Sequence, residues 1–166
     1  MQYVQRGLVI VLVGLLVGCG WQLRGGAGGG FDGVAIAVTG AAGNRLEAKI
    51  ARQLRDLGAD VVAEAAQAQT QLRIESAGSS RRTLATDADD FASEYELTYQ
   101  IRFSLEPGGL AADDAMSGSS QTVRTSAAFS VSADNLQAAQ AEEQALQRDL
   151  EADAITLLLA RVGRML

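Results

Sequence analysis

From Ser93 to Leu105 the chain alternates without a break. Tyr95, Leu97, Tyr99, Ile101, Phe103 and Leu105 fall on one side, and Glu94, Glu96, Thr98, Gln100, Arg102 and Ser104 on the other. Successive side chains of a strand point to opposite faces, so this segment reads as a long strand with one face in a core and one in water. A second alternating run, Val123, Thr125, Ala127, Phe129 and Val131, matches it. Glu106-Pro107-Gly108-Gly109 and the polar stretch to Ser119 read as the loop between them, so the two runs are expected to form a hairpin. Thr70–Ser76, with Leu72 and Ile74 inward, reads as a further strand that extends through Arg81 to Leu84, and Val34–Val38 as a short first strand.

Two segments carry helical periodicity instead. Leu46, Ile50, Leu54 and Leu57 form one stripe before Gly58, and Asn44 followed by Glu47 reads as a capping box at its start. Arg45, Lys49, Arg52 and Arg55 occupy the rest of that surface, either a solvated face or a face for an anionic partner. Near the C-terminus, Asp134 or Ser132 caps a helix of about 30 residues whose stripe is Leu136, Leu146, Leu150, Ile155, Leu158, Val162 and Met165. The order β-α-β-β-β-α predicts an α+β fold, with two helices packed on one face of a four-stranded mixed sheet and the first helix crossing between strands 1 and 2.

The amino terminus has different anatomy. Arg6 is the only charge before Arg24, and Gly7 to Gly18 is a 12-residue apolar run that ends at Cys19. A bilayer-spanning helix needs about 20 apolar residues, so the run reads as a signal peptide rather than an anchor. Leu16-Val17-Gly18-Cys19 fits a bacterial lipobox, which makes Cys19 the lipidation site, carrying diacylglycerol and an N-acyl chain. Gly20 is not the aspartate that retains such lipoproteins at the inner membrane of Gram-negative cells, so the outer membrane, periplasmic side, is the expected location. Trp21 suits either the headgroup region or the first position of the core. Residues 1–18 are thus read as the signal peptide, 19–32 as a lipidated glycine-rich tether, and 33–166 as a single α+β domain. Gly28, Gly30 and Gly33 spell G-x-G-x-x-G, but no strand precedes them and no helix follows, so no dinucleotide site is read there.

The available chemistry is narrow. The chain has no histidine, which removes Ser-His-Asp and Cys-His pairs and histidine zinc sites. A net charge of −6 argues against nucleic acid, whose binding depends on Lys and Arg neutralising phosphates. The single cysteine leaves no partner for an intrachain disulfide. Asp87, Asp89 and Asp90, Asp113 and Asp114, and Glu142 and Glu143 are carboxylate groupings without EF-hand spacing, and adjacent helix residues do not face each other. No catalytic residue, metal site or cofactor is expected beyond the acyl groups on Cys19. Arg81 and Arg82, with Arg124 on the fourth strand, are candidates for gripping phosphate on a glycolipid, or else exposed arginines paired with Asp87, Asp89 or Asp90.

Cys19-Gly20-Trp21-Gln22-Leu23-Arg24-Gly25 resembles the Cys-Gly-aromatic-x-Leu-Arg-Gly opening of the lipopolysaccharide-assembly lipoprotein family LptE. The resemblance continues through Arg45–Leu54, Ser93–Leu97, Glu143 and Asp153–Arg161. It implies an outer-membrane lipoprotein that sits as a plug inside the large β-barrel LptD, assisting the assembly of that barrel and the insertion of lipopolysaccharide into the outer leaflet. It implies no enzyme. Thr98, Gln100, Arg102, Ser104, Thr122, Arg124, Ser126, Ala128 and Ser130 form polar faces that suit a barrel lumen, and equally suit bulk water. Family members that bind lipopolysaccharide carry a basic residue in the loop before the third strand. Here that loop is Asp87-Ala-Asp-Asp-Phe91, so any phosphate contact is expected at Arg81, Arg82 and Arg124. The competing expectations are an unrelated periplasmic lipoprotein module binding an anionic ligand and a lipid-anchored carboxylate enzyme.

Overall fold

A computed structural model describes residues 30–40, 43–88, 90–109, 119–131 and 136–166. Strand β1 (Ala35–Gly40) leads into helix α1 (Asn44–Asp56), followed by β2 (Asp60–Val62), a 3-10 turn (Ala65–Gln67), β3 (Thr70–Thr86), β4 (Ala92–Pro107), β5 (Gln121–Ser130) and helix α2 (Leu136–Val162). The strands form one mixed sheet in the order β2-β1-β3-β4-β5. β1 runs parallel to both β2 and β3, while β3–β4 and β4–β5 are antiparallel. The two long alternating runs pair as expected, from Glu94 opposite Ser130 to Phe103 opposite Gln121.

The expected four-stranded sheet has a fifth strand. Asp60–Val62 is three residues long, too short to show a period of two, and it pairs with β1 through Ala35 opposite Asp60. Helix α1 therefore crosses from β1 to this edge strand, and the chain returns to β3 through the 3-10 turn. The start of α1 also differs: the helix begins at Asn44, and its N-cap is Gly43, whose carbonyl accepts from Leu46 N at 3.1 Å. The capping position thus falls on a residue without a side chain. The stop is as read: Gly58 adopts φ 93°, its N–H bonds Arg55 O, and Ala59 N–H reaches back to Leu54 O, the paired bonds of a Schellman ending.

Both helices contribute to one core. Leu46, Ile50 and Leu54 of α1 and Leu150, Ile155, Leu158 and Val162 of α2 are buried with Leu72, Ile74, Leu97, Tyr99, Ile101 and Phe103 of the sheet. Each such aliphatic or aromatic side chain contributes about 1.5–3 kcal/mol by leaving water. Ala154 and Leu159 join the α2 stripe, whereas Met165, expected inward, is exposed because the helix ends at Val162. The predicted caps of α2, Ser132 and Asp134, lie outside the described residues.

The wet face is not wet throughout. Ala37, Gln71, Ser104 and Glu106 are buried, all at the end of the sheet where the 3-10 turn packs against β1. Gly108 N–H bonds Gln69 O and Gly109 N–H bonds Ala65 O, holding the end of β4 to this crossover. Under it lies a polar network. Arg73 donates twice to Glu106 Oε2, Ser104 Oγ donates to Glu106 Oε1, and Gln71 Nε2 donates to Thr39 Oγ1.

The entry of the chain into the domain is tightly packed. Phe31 is 1% exposed and belongs to the core, although it lies on the stretch read as tether. A β-carbon on Gly163 would stand 2.9 Å from the Phe31 ring, and one on Gly30 would stand 2.4 Å from Gly163 O, so these glycines allow Phe31 to seat at the end of α2. Phe31→Ala is expected to lower unfolding free energy by about 3–5 kcal/mol, with an unchanged denaturant slope, in a urea titration followed by far-UV circular dichroism.

Candidate functional site

Cys19 and the motif around it lie outside the described residues, as do Asp89, Asp113 and Asp114. What the structure supplies is the point to which that segment leads: Gly30 and Phe31, packed on Gly163. At the same end lie Gly58, the start of β3, Pro107 and the start of β5. The β3–β4 turn lies at the other end. It is closed by Asp87 N–H to Phe91 O and Phe91 N–H to Asp87 Oδ1, with Asp90 at φ 61°. Phe91, at its tip, is 69% exposed.

A β-bulge decides which arginines meet. Ile74 faces Phe103, but the next partner of β4, Arg102, faces Ser76, so Glu75 is the extra residue. Adding one residue shifts every later side chain of β3 to the opposite face. Arg81 therefore shares a face with Leu97, toward the helices, and Arg82 shares the open face with Glu96. Without the bulge these assignments would be reversed.

Arg81 is built into the seam between sheet and helix. Its guanidinium donates to Glu143 Oε2 of α2 at 2.9 Å and lies 4.6 Å from the centre of the Tyr95 ring, which stacks on Phe129. Cation–π contact and an ion pair together fix its direction. Burial, and then the Glu151 carboxylate, raise the pKa of the neighbouring Tyr99 phenol, so that group stays protonated at neutral pH.

On the open face Arg82 donates through Nε to Glu96, opposite it across the ladder. That hydrogen bond and charge hold the Glu96 carboxyl below its usual value, with the Arg124 charge adding to the effect. Arg124 faces Gln100 and donates to its Oε1 at 3.2 Å. Of the three candidate arginines, Arg82 and Arg124 share a face and Arg81 is separated from them by the sheet. Among the described residues Arg81 pairs with Glu143 and Arg82 with Glu96. Arg73 and Arg102 also lie on the open face. The alternating pattern places Arg102 there, while the role of Arg73 depends on the crossover that buries Glu106.

Residues 31–162 match the model of the LptE family, described as lipopolysaccharide-assembly. The chain belongs to this family. The match opens on Phe31 and closes on Val162, both buried at the end where the chain enters the domain. Solved structures share the fold. Lipoprotein B of Nitrosomonas europaea superposes with a TM-score of 0.71 at 22% identity, covering 88% of this chain and 92% of that one. A minor lipoprotein of Acinetobacter baumannii gives 0.64 at 15% identity, covering 81% and 93%. The rare lipoprotein B of Shewanella oneidensis gives 0.59 at 16%, covering 79% and 96%. No curated protein matches the chain in sequence.

The depressed Glu96 carboxyl favours the folded state above the ordinary carboxylate range, and that contribution disappears as pH falls through its folded pKa. In an NMR pH titration, Glu96 is expected to protonate below the ordinary glutamate value, and Arg82→Gln to raise its midpoint toward that value. An unchanged midpoint in the variant would refute the assignment.

Proposed function

We propose that the chain is an outer-membrane lipoprotein, cleaved before Cys19 and lipidated there, that sits as a plug inside the β-barrel LptD. In that position it assists assembly of the barrel and insertion of lipopolysaccharide into the outer leaflet. Its work is binding and assembly, not catalysis. Membership of the LptE family over the whole described domain carries this reading.

The shape supports it. β3 is 17 residues long, which at about 3.3 Å per residue spans roughly 55 Å. The hydrocarbon core of a bilayer is about 30 Å thick. A domain held at the periplasmic leaflet by its entry end would carry the β3–β4 turn to the far side of the membrane within a barrel. Ten residues separate Cys19 from Gly30, a reach of at most about 40 Å, enough for an acyl anchor beside the barrel while the domain occupies the lumen. The open face, with Ser76, Gly78, Ser80, Thr98, Gln100, Ser126 and Ala128, offers small and polar side chains, as a hydrated lumen requires.

Affinity purification of the lipidated protein from gently solubilised outer membrane is expected to recover one large β-barrel protein at equal stoichiometry. Recovery of the lipoprotein alone, from cells that contain the barrel, would replace this reading with that of a free-standing module for an anionic ligand. Cys19→Ala is expected to move the protein from the membrane fraction and abolish incorporation of labelled palmitate. Retention of label would refute lipidation at Cys19.

A further inference from the structure

The sheet strands carry five arginines: Arg73, Arg81, Arg82, Arg102 and Arg124. Three are already neutralised, Arg73 by Glu106, Arg81 by Glu143 and Arg82 by Glu96. To take an anionic ligand, each would have to release a carboxylate. Arg102 and Arg124 have no carboxylate within ion-pair distance among the described residues, and both are exposed.

These two are neighbours. Arg102 faces Thr122 and Arg124 faces Gln100, so they stand diagonally across the β4–β5 ladder on the open face, with α-carbons roughly 7–8 Å apart. Like charges at this spacing repel; among the described residues no carboxylate is within ion-pair distance of either, and Glu96 acts on Arg124 only from farther off. Glu75, at the bulge beside Ser76, accepts from Ser120 Oγ instead, and Glu96 is engaged by Arg82. Gln100 accepts one N–H of Arg124 and orients its guanidinium while leaving the other donors available. Among the described residues, no donor of Arg102 is engaged.

We propose that Arg102 and Arg124 form a two-guanidinium clamp for a phosphate group. Two planar forks on flexible arms can close on one tetrahedral anion from two sides, each with paired N–H donors, and the anion removes the repulsion between them. The hydroxyls of Thr122, Thr98 and Ser126 on the same face add neutral donors. The clamp rests on the reading above that the chain handles a phosphorylated glycolipid. The same chemistry would serve free inorganic phosphate. It assigns a role to Arg102, and it takes Arg81 out of the set because that side chain lies on the other side of the sheet.

The test is calorimetric titration of the full-length lipidated protein in detergent. The probes are lipopolysaccharide, chemically dephosphorylated lipopolysaccharide and inorganic phosphate. The variants are Arg102→Gln, Arg124→Gln, the double variant, and Arg148→Gln, an exposed arginine of α2, as a control for net charge. Each clamp variant is expected to weaken lipopolysaccharide binding roughly tenfold or more, the double variant by less than the product of the two, and Arg148→Gln by less than about twofold. Dephosphorylated lipopolysaccharide is expected not to distinguish the clamp variants from the parent. Binding of inorganic phosphate alone, with the same losses, would keep the clamp and make free phosphate its ligand. If the parent binds lipopolysaccharide and the double variant binds it equally, the clamp falls and the functional reading stands. If the parent binds neither phosphorylated lipid nor phosphate, direct phosphate contact falls with it, while co-purification of the barrel still decides the plug reading. Thermal unfolding of each variant, expected to match the parent because both side chains are exposed, separates lost binding from lost fold.

Discussion

The antiparallel ladder between β3 and β4 carries the rest of the molecule. It runs from Thr70 opposite Pro107 to Thr86 opposite Ala92, and it is the only pairing that reaches both ends of the sheet among the described residues. β1 attaches at its entry end, along Thr70–Ile74, and β5 follows β4 from Phe103 to Glu94, nearly to the turn; the helices cover the apolar face that Leu97, Tyr99, Ile101 and Phe103 present. That apolar row is the main reason for α2 to dock: Leu150, Ile155, Leu158 and Val162 have no other comparable surface to leave water against. Removing the ladder would leave two amphipathic helices without a partner surface.

The two ends of this ladder are treated differently. At one end nearly everything is tied down: Phe31 under Gly163, the Gly58 turn, the 3-10 crossover over Glu106, and the Gly108–Gln69 contact. At the other end β5 stays beside β4 as far as Glu94, Val131 N–H bonds Ser93 O, and β3 and β4 close just beyond in a turn held by its own hydrogen bonds. The end where the chain enters the domain is also where the family match begins and ends.

The polar face is organised by charge as much as by shape. Ion pairs at Arg73 and Arg82 use cross-strand geometry, and Arg81 uses the helix, so most of the positive charge on the sheet is already satisfied. The exposed Arg82–Glu96 pair adds little stability, whereas Arg73 meets a buried carboxylate. Together these pairs leave Arg102 and Arg124 as the sheet arginines with no carboxylate within ion-pair distance among the described residues.

Much of the architecture was legible in the residues themselves. Period-two alternation in β4 and β5 gave their faces, the 3.6-residue stripes gave both helices, and Gly58 marked the end of α1, because each signal is local and repeats along the chain. β2 was not legible, since three residues carry no measurable period and the strand exists only because β1 lies beside it. The burial of Ser104 and Glu106 was not legible either, because it depends on a crossover packing over their face. Above all, the identity of the arginines that share a surface was decided by the bulge at Glu75. A bulge is an accommodation between two strands, visible only once their register is set, and by inserting one residue it sends Arg81 to the helices and Arg82 to the open face. The sequence determined which residues alternate and where the elements stop; the tertiary structure decided which charges face one another.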